Sequence, residues 1–151
     1  MKNKFETPQP PVYFLASLVL ITLAHLLFPL YIIVIFPWTL LGIVLMIIGI
    51  TLNLLADHLF KIHNTTVKAF RKSHALISDN VFRISRNPMY LGMVLILAGV
   101  SVLMGSVSPW GFVFLFLFLI DRFYIQIEEK NLEEEFGATY QDYKNRVRRW
   151  I

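Results

Sequence analysis

The stretch HALISDNVFRISRNPMYLG, from His74 to Gly92, passes from a polar segment directly into a long uncharged run. Asn87 suits the N-cap of a helix, and Pro88 suits its first position because the missing N–H would have no intrahelical partner there. The start of a helix carries a partial positive charge and unpaired N–H groups, and Arg86 precedes it directly. The junction therefore predicts a helix that begins at Pro88 and can hold a small anion, such as a carboxylate or a phosphate, at its start.

The composition is that of a membrane protein. Of 151 residues, 56% are hydrophobic and only 16% are charged. No charge occurs between Glu6 and Asp57 or between Arg86 and Asp121. Uncharged runs of this length are typical of helices that cross a bilayer. The chain has no cysteines, which excludes thiol nucleophiles and thiolate metal sites.

Neither a metal nor a nucleic acid is expected as a partner. His58 and His63 are five residues apart and do not share a helix face, so they are poor ligands for one ion. Basic residues that mark the cytoplasmic side of a membrane protein explain the net charge of +4. No glycine-rich dinucleotide loop follows a strand pattern, which excludes a soluble Rossmann-type enzyme.

We expect an all-α membrane protein with four transmembrane helices in a single integral membrane domain over residues 1–151. A hydrocarbon core about 30 Å thick needs roughly 20 helical residues. In chain order, the expected parts are spans at about 12–32 and 37–57, a loop at 58–87, spans at 88–105 and 109–127, and a tail at 128–151.

The distribution of charge predicts the orientation. The turns near residues 33–37 and 105–109 carry no charge, whereas all fourteen Lys and Arg fall on the side of the amino terminus, the central loop and the carboxy terminus. The positive-inside rule then places both termini and the long loop in the cytoplasm.

Two pairs of glycines predict close packing within the membrane. Gly42 and Gly49 are seven residues apart, as are Gly92 and Gly99. Seven residues are two helical turns, so each pair lines one helix face on which backbones can approach closely.

Asp121 and Arg122 interrupt the fourth span. Asp121 comes twelve steps after Pro109, which is about 18 Å along a helix and short of a full crossing. Two interpretations stay open. The pair lies partly in the bilayer or faces a polar cavity, as functional charges in membranes do; or the span is short and the two charges neutralise each other at the interface.

The tail is expected to form an amphipathic helical segment. We expect Gly137 to end its first helix and Thr139 to cap the next. Apolar residues recur every three or four positions and should lie on the cytoplasmic face of the bundle. This stripe consists of Leu132, Phe136, Tyr140, Tyr143 and Val147.

The opening stretch resembles the signature of the isoprenylcysteine carboxyl methyltransferase family, which is related to the phospholipid methyltransferases. That signature reads His-x-Leu-x-Thr-x-Gly-x-Tyr, three residues, then Arg-His-Pro-x-Tyr-x-Gly, and its spacing is kept here throughout. Ser78, Asn80, Phe82 and Asn87 are conservative departures. The matching positions are His74, Leu76, Ser78, Asn80, Phe82, Arg86, Asn87, Pro88, Tyr90 and Gly92.

The tail extends the resemblance. The family carries Glu-Glu, two residues, Leu, three residues, Phe-Gly-x-x-Tyr-x-x-Tyr, and a basic pair before Val. From His74 to Val147, the two matched blocks span about half the chain. The tail positions are Glu128, Glu129, Leu132, Phe136, Gly137, Tyr140, Tyr143, Arg146 and Val147.

The resemblance implies a multi-pass membrane methyltransferase that uses S-adenosylmethionine. Its acceptor would be lipophilic or small, carrying a carboxylate, thiol or amine, and would meet the enzyme at the membrane lipid. Methyl transfer from a sulfonium to an ionised nucleophile requires alignment, so no catalytic acid or base is assigned. By resemblance, the cofactor pocket is lined by His74, Leu76, Ile77, Phe82, Asn87, Pro88, Tyr90 and Glu128.

One departure bears on the acceptor. Family members that act on prenylcysteine place an Arg four residues before the first Glu of the pair, where it meets the substrate carboxylate; this chain has Tyr124 there. Arg122 is two residues away, about 200° around a helix, and points elsewhere. A thiol, an amine or a lipid head group therefore fits at least as well as a prenylcysteine carboxylate. The candidate acceptor-binding residues are Tyr124, Arg122 and Arg146.

A second class of function fits the same apolar spans. A non-catalytic four-span scaffold or transport subunit could keep the fold without the cofactor. Binding of S-adenosylmethionine separates the two classes.

Overall fold

The computed structural model describes residues 9–63 and 76–151 of the chain. The described part is helical and contains no regular strand, which confirms the all-α prediction for that part. The helices are α1 Pro10–Leu27, α2 Leu41–Ile62, α3 Pro88–Met104, α4 Ser108–Ile120, α5 Gln126–Phe136 and α6 Ala138–Arg146. Single 3-10 turns cover Trp38–Leu40 and Asn80–Arg83, and one π-helical turn, Asp121–Ile125, joins α4 to α5.

Among the described residues, three helices are long and apolar enough to cross a membrane: Pro10–Leu27, Trp38–Ile62 and Ser108–Phe136. The helix α3 is also apolar but has only 17 residues, about 25 Å at 1.5 Å per residue. It packs along α2 more extensively than any other pair of elements in the described part. The protein is therefore an integral membrane protein, and a fourth crossing by α3 stays a prediction.

The first two helices differ from their expected limits. Helix α1 ends at Leu27 instead of near residue 32, because Pro29 disfavours helical backbone just before it. Residues 28–37 then form a longer connection in place of the short turn expected near residues 33–37. Helix α2 continues to Ile62, past the expected end near residue 57.

The backbones of α2 and α3 touch at the two glycine pairs. A Cβ atom added to Gly42 would lie 2.3 Å from the carbonyl oxygen of Gly99, and one added to Gly49 would lie 2.5 Å from that of Gly92. The predicted close packing is confirmed. Since the two helices run antiparallel, this packing fixes the start of α3 beside the carboxy-terminal half of α2.

Buried side chains form two clusters. The bundle cluster joins α1, α3, α4 and the π-helical turn, and the tail cluster joins the end of α2, residues 76–82 and α6. The bundle cluster consists of Ile21, Tyr90, Leu97, Val113, Phe116, Ile120, Tyr124 and Ile125. The tail cluster consists of Ala56, Leu59, Ile77, Val81, Phe82, Tyr140 and Tyr143, with Leu132, Phe136 and Val147 packed against it. The apolar stripe seen in the tail sequence is therefore packed against α2 and residues 76–82.

Helices α5 and α6 meet at Gly137. Its φ of 51° ends α5 at Phe136, and α6 begins at once with Ala138. Thr139 therefore lies inside α6, and the predicted capping role of Thr139 is wrong. A single residue with positive φ turns the chain without a linker, which leaves no position for a separate capping side chain.

Candidate functional site

The start of α3 and the start of α5 are joined by a direct hydrogen bond. The hydroxyl of Tyr90 donates to Oε1 of Glu128 over 2.7 Å, across 38 residues of sequence. Tyr90 lies in the first turn of α3 and is only 7% exposed. The two sequence blocks that carry the family resemblance therefore meet at one place.

Beside this bond, the buried carboxylate of Glu129 lies between two guanidinium groups. Nη2 of Arg86 is 3.0 Å from Oε1 of Glu129, and both side chains are 7% exposed. Arg149 adds a bidentate contact, from Nη2 to Oε2 at 2.6 Å and from Nε to Oε1 at 3.1 Å. Charge-assisted hydrogen bonds of this kind are short and strong, and they offset the cost of removing the carboxylate from water.

Arg149 also binds the first residue of the π-helical turn. Its Nη1 donates to both carboxylate oxygens of Asp121, at 3.2 and 3.3 Å. Arg122 instead donates to Gln126 at 2.9 Å, so the interpretation of Asp121 and Arg122 as a self-neutralising pair is wrong. The hydrogen bond to Glu129 raises the pKa of Arg149 in spite of partial burial, and the guanidinium stays charged.

The carboxy-terminal segment lies across the loop that leads into α3. The carbonyl oxygen of Arg148 accepts from the N–H of Arg86 at 3.1 Å. The carbonyl oxygen of Arg149 accepts from Oγ of Ser85 at 3.1 Å and from Nδ2 of Asn87 at 3.2 Å. Asn87 occupies the N-cap position of α3, as predicted, but its side chain does not cap the helix. The side-chain amide of Asn87 donates to the carbonyl oxygen of Arg149 instead.

The guanidinium of Arg86 can donate more hydrogen bonds than the described residues accept from it. Its Nε and Nη1 are buried and have no hydrogen-bond partner within residues 9–63 and 76–151. Buried N–H groups are costly when unpaired, and a guanidinium binds a carboxylate bidentately. Pro88, fully buried, begins α3 two residues later, as predicted. The residues at the start of α3 can therefore accept a small anion.

The apolar residues of the predicted pocket lie in the tail cluster. Phe82 packs edge to face against Phe60, with ring centres 5.5 Å apart, and its carbonyl accepts from the hydroxyl of Tyr143 at 2.7 Å. Ile77 is buried in the same cluster, and Leu76 packs at its edge. His74 lies outside the described residues.

The three candidate acceptor residues have different surroundings. Tyr124 is 2% exposed and packs edge to face against Tyr13, with ring centres 5.8 Å apart. Arg122 is exposed, and Arg146 is exposed and donates to a carbonyl of its own helix. Tyr124, at the position where the resemblance leads us to expect an Arg for a prenylcysteine acceptor, is thus part of the apolar core.

Sequence reasoning did not single out Glu129 and Arg149 as the centre of the charged network. Glu129 was visible only as the second member of the Glu pair. Arg149 lies two residues beyond the last matched position, and its partners are 20 and 28 residues away in sequence. The unbalanced Asp121 in an apolar helix was the signal that a distant cation should be sought.

Comparison with known proteins gives a consistent result. The family model described as phospholipid methyltransferase matches residues 37–139, more than half of the chain. An uncharacterized protein of Haemophilus influenzae is 41% identical over 63 residues, which are 42% of this chain and 100% of that protein. The protein-S-isoprenylcysteine O-methyltransferase of Saccharomyces cerevisiae is 36% identical over 115 residues, which are 72% of this chain and 46% of that protein.

A solved structure resembles this one over nearly the whole chain. It is that of the eukaryotic intramembrane Ras methyltransferase ICMT (isoprenylcysteine carboxyl methyltransferase), with a TM-score of 0.68, 25% identity, and coverage of 97% of this chain and 53% of that one. The chain spans about half the length of the two methyltransferases that it matches. From the family model, the yeast relative and the shared fold, we conclude that the chain belongs to the phospholipid methyltransferase family and resembles its isoprenylcysteine carboxyl methyltransferase members.

Proposed function

We propose that this protein is an S-adenosylmethionine-dependent membrane methyltransferase that acts on a lipophilic or small acceptor. The observation that carries the proposal is the hydrogen bond from Tyr90 to Glu128, which brings the two family blocks together. The guanidinium of Arg86, with two nitrogens that have no partner within residues 9–63 and 76–151, lies in the same region, two residues before α3 begins. Membership of the methyltransferase family supports the same activity.

The donor set fits the cofactor. Nε and Nη1 of Arg86, which have no hydrogen-bond partner among the described residues, suit the carboxylate of the methionyl part. Glu128 can accept from the ribose hydroxyls or the amino group, and Tyr90 holds its carboxylate in place. When bound, S-adenosylmethionine supplies a methyl group on a sulfonium. The remaining proposed pocket residues are Leu76, Ile77, Phe82, Asn87 and Pro88, with His74 from outside the described part.

The residues of the site bind, orient and exclude water. Tyr90 and Phe82 are nearly buried, so a methyl acceptor that contacts them is shielded from bulk solvent. In a sulfonium displacement by an anion, opposite charges merge, and a site of low dielectric constant favours that step. Alignment then supplies most of the acceleration. No residue is assigned to proton transfer.

The acceptor approaches from the lipid side of the bundle. Tyr124 supplies neither a positive charge nor an exposed surface at the position where prenylcysteine-specific relatives carry an Arg. An acceptor with a thiol, an amine or a lipid head group therefore fits this chain at least as well as one with a free carboxylate. Labelled methyl transfer into thiols, amines, phospholipids and prenylcysteine analogues tests this expectation, and a preference for prenylcysteine would contradict it.

The same proposal includes the membrane arrangement. Four spans cross the bilayer, with α3 as the third, and both termini and the loop before α3 lie in the cytoplasm. The charge distribution supports this orientation, since in this arrangement all fourteen Lys and Arg fall on the cytoplasmic side of the membrane.

Cofactor binding is the direct test. At about 100 times its dissociation constant, S-adenosylhomocysteine should stabilise the purified chain by about 2.7 kcal/mol, which is about 5–10 °C in melting temperature for a chain of this size. Glu128→Gln should reduce the shift, because an amide is a weaker acceptor for hydroxyl or ammonium donors. Glu134→Gln, on the exposed face of α5, should respond like the parent. A parent chain without any shift would favour the scaffold alternative.

A further inference from the structure

We propose that Arg149 is a positioning residue that fixes the orientation of α5, and with it Glu128, relative to the start of α3. The inference rests on the proposed function, because its consequence is a correctly placed cofactor site. It assigns a task to the carboxy-terminal segment and to the π-helical turn, neither of which belongs to the two matched sequence blocks.

The first observation is that Arg149 joins three parts of the fold. Its carbonyl oxygen accepts from Ser85 and Asn87 in the loop before α3. Its guanidinium binds Asp121 at the start of the π-helical turn and Glu129 on α5. One residue thus connects the loop, the turn and the helix that surround the proposed site.

The second observation is that the π-helical turn brings the two carboxylates onto one helix face. Asp121 and Glu129 are eight residues apart, and at about 100° per residue they would lie roughly 80° apart around an uninterrupted α-helix. A π-helical turn accommodates one extra residue, so the effective spacing becomes about seven residues and the angle falls to roughly 20°. Arg149 can bind both carboxylates because of this turn. Its contacts with Asp121 and Glu129 in turn stabilise the π-helical conformation.

The third observation is that Glu128 and Glu129 are neighbours on the same turn. Glu129 is held by Arg86 and Arg149, and Glu128 accepts from Tyr90. Without Arg149, Asp121 and Glu129 would face each other with only Arg86 to balance them. The π-helical turn would then lose its clamp, and a return to regular α-helix would rotate Glu128 by about 100° away from Tyr90.

The test measures the dissociation constant of S-adenosylhomocysteine for the purified full chain. Arg149→Ala should weaken binding roughly 10- to 100-fold, which is the loss expected when the ligand no longer makes its hydrogen bond to the charged Glu128. Arg149→Lys should give an intermediate value, because an ammonium cannot bind two carboxylates in the geometry of the guanidinium fork. Arg83→Ala removes an exposed arginine from the same loop region and should leave the constant unchanged.

The dissociation constant separates positioning from stability. A variant that is only less stable keeps the parent's dissociation constant in its folded fraction, so an unchanged constant in Arg149→Ala would overturn the inference. If that variant does not fold, Asp121→Asn removes the negative charge and one of the two acceptor oxygens from the contact with the π-helical turn, and it retains the contact with Glu129. We expect it to weaken binding at least several-fold, and a folded Asp121→Asn with the parent's constant would overturn the inference as well. Absence of binding by the parent would instead contradict the proposed function.

Discussion

Replacement of Glu129 by Gln tests whether the charged network stabilises the fold. The carboxylate of Glu129 is 7% exposed and lies 3.0 Å from Arg86, whose side chain is equally buried. The amide keeps the shape of the side chain but leaves Arg86 as a buried charge without its counter-ion. Removing one partner of a buried ion pair lowers the free energy of unfolding by about 3–5 kcal/mol. For a chain of this length, that corresponds to a fall of about 6–20 °C in melting temperature.

The assay is thermal unfolding of the cofactor-free protein in detergent. Glu134→Gln is the matched control, because Glu134 lies on the same helix and pairs with Lys130 over 3.9 Å, with both side chains mostly exposed. Such exposed pairs contribute about 0–1 kcal/mol, so the control should melt within about 4 °C of the parent. If the two variants melt at the same temperature, Glu129 is not a buried counter-ion and the reasoning about the network is refuted.

Three further predictions concern packing, hydrogen bonding and pH. Gly99→Ala should destabilise the protein by about 1–3 kcal/mol because its Cβ would lie 2.5 Å from the Gly42 carbonyl oxygen, whereas Gly111→Ala, with open space around it, should not; equal unfolding midpoints would contradict the tight packing of α2 on α3. Tyr143→Phe should cost about 1–3 kcal/mol because it leaves the buried Phe82 carbonyl without its donor, and Tyr31→Phe, at an exposed side chain, serves as its control. Burial, with Glu129 adding to it and Arg86 opposing it, raises the pKa of Tyr140 to about 12, so the stability that this hydroxyl contributes is present below its unfolded value of about 10 and is lost as the pH rises to about 12. Tyr140→Phe should therefore flatten the alkaline loss of stability between those two values, and an unchanged pH profile of unfolding would contradict the burial of that hydroxyl.

The features that sequence reasoning predicted correctly are local or periodic. Pro88 starts α3 because its backbone suits that position, whatever lies around it. The two glycine pairs and the apolar stripe of the tail follow from helical periodicity, and both faces are packed as expected. Patterns of this kind depend on neighbouring residues only, so they can be read without knowledge of the fold.

The features that sequence reasoning missed depend on partners far along the chain. Asn87 has the right type and position for a helix cap, yet its side-chain amide donates to the carbonyl oxygen of Arg149, 62 residues away in sequence. Asp121 was compared with its neighbour Arg122, but its partner is Arg149, which only the folded chain brings near. The π-helical turn between α4 and α5 also has no local sequence signature here. The Asp121 charge signals that a cation lies nearby, but the sequence does not identify Arg149 as that cation or Glu129 as the shared partner.

The pocket assignment itself stays a prediction for all eight proposed residues. The structure brings Tyr90 and Glu128 into contact and buries Asn87 and Pro88 nearby. It places Ile77 and Phe82 in the neighbouring tail cluster, with Leu76 at its edge. This arrangement supports a site with a polar side at the start of α3 and an apolar side formed by residues 76–82.

The most direct measurement is an experimental structure of the full chain determined with S-adenosylhomocysteine. The account predicts that the ligand lies between the start of α3 and the start of α5, with its carboxylate against Arg86 and its ribose or amino group within hydrogen-bonding distance of Glu128. A ligand bound elsewhere, or one that contacts only one of these two helix starts, would contradict it.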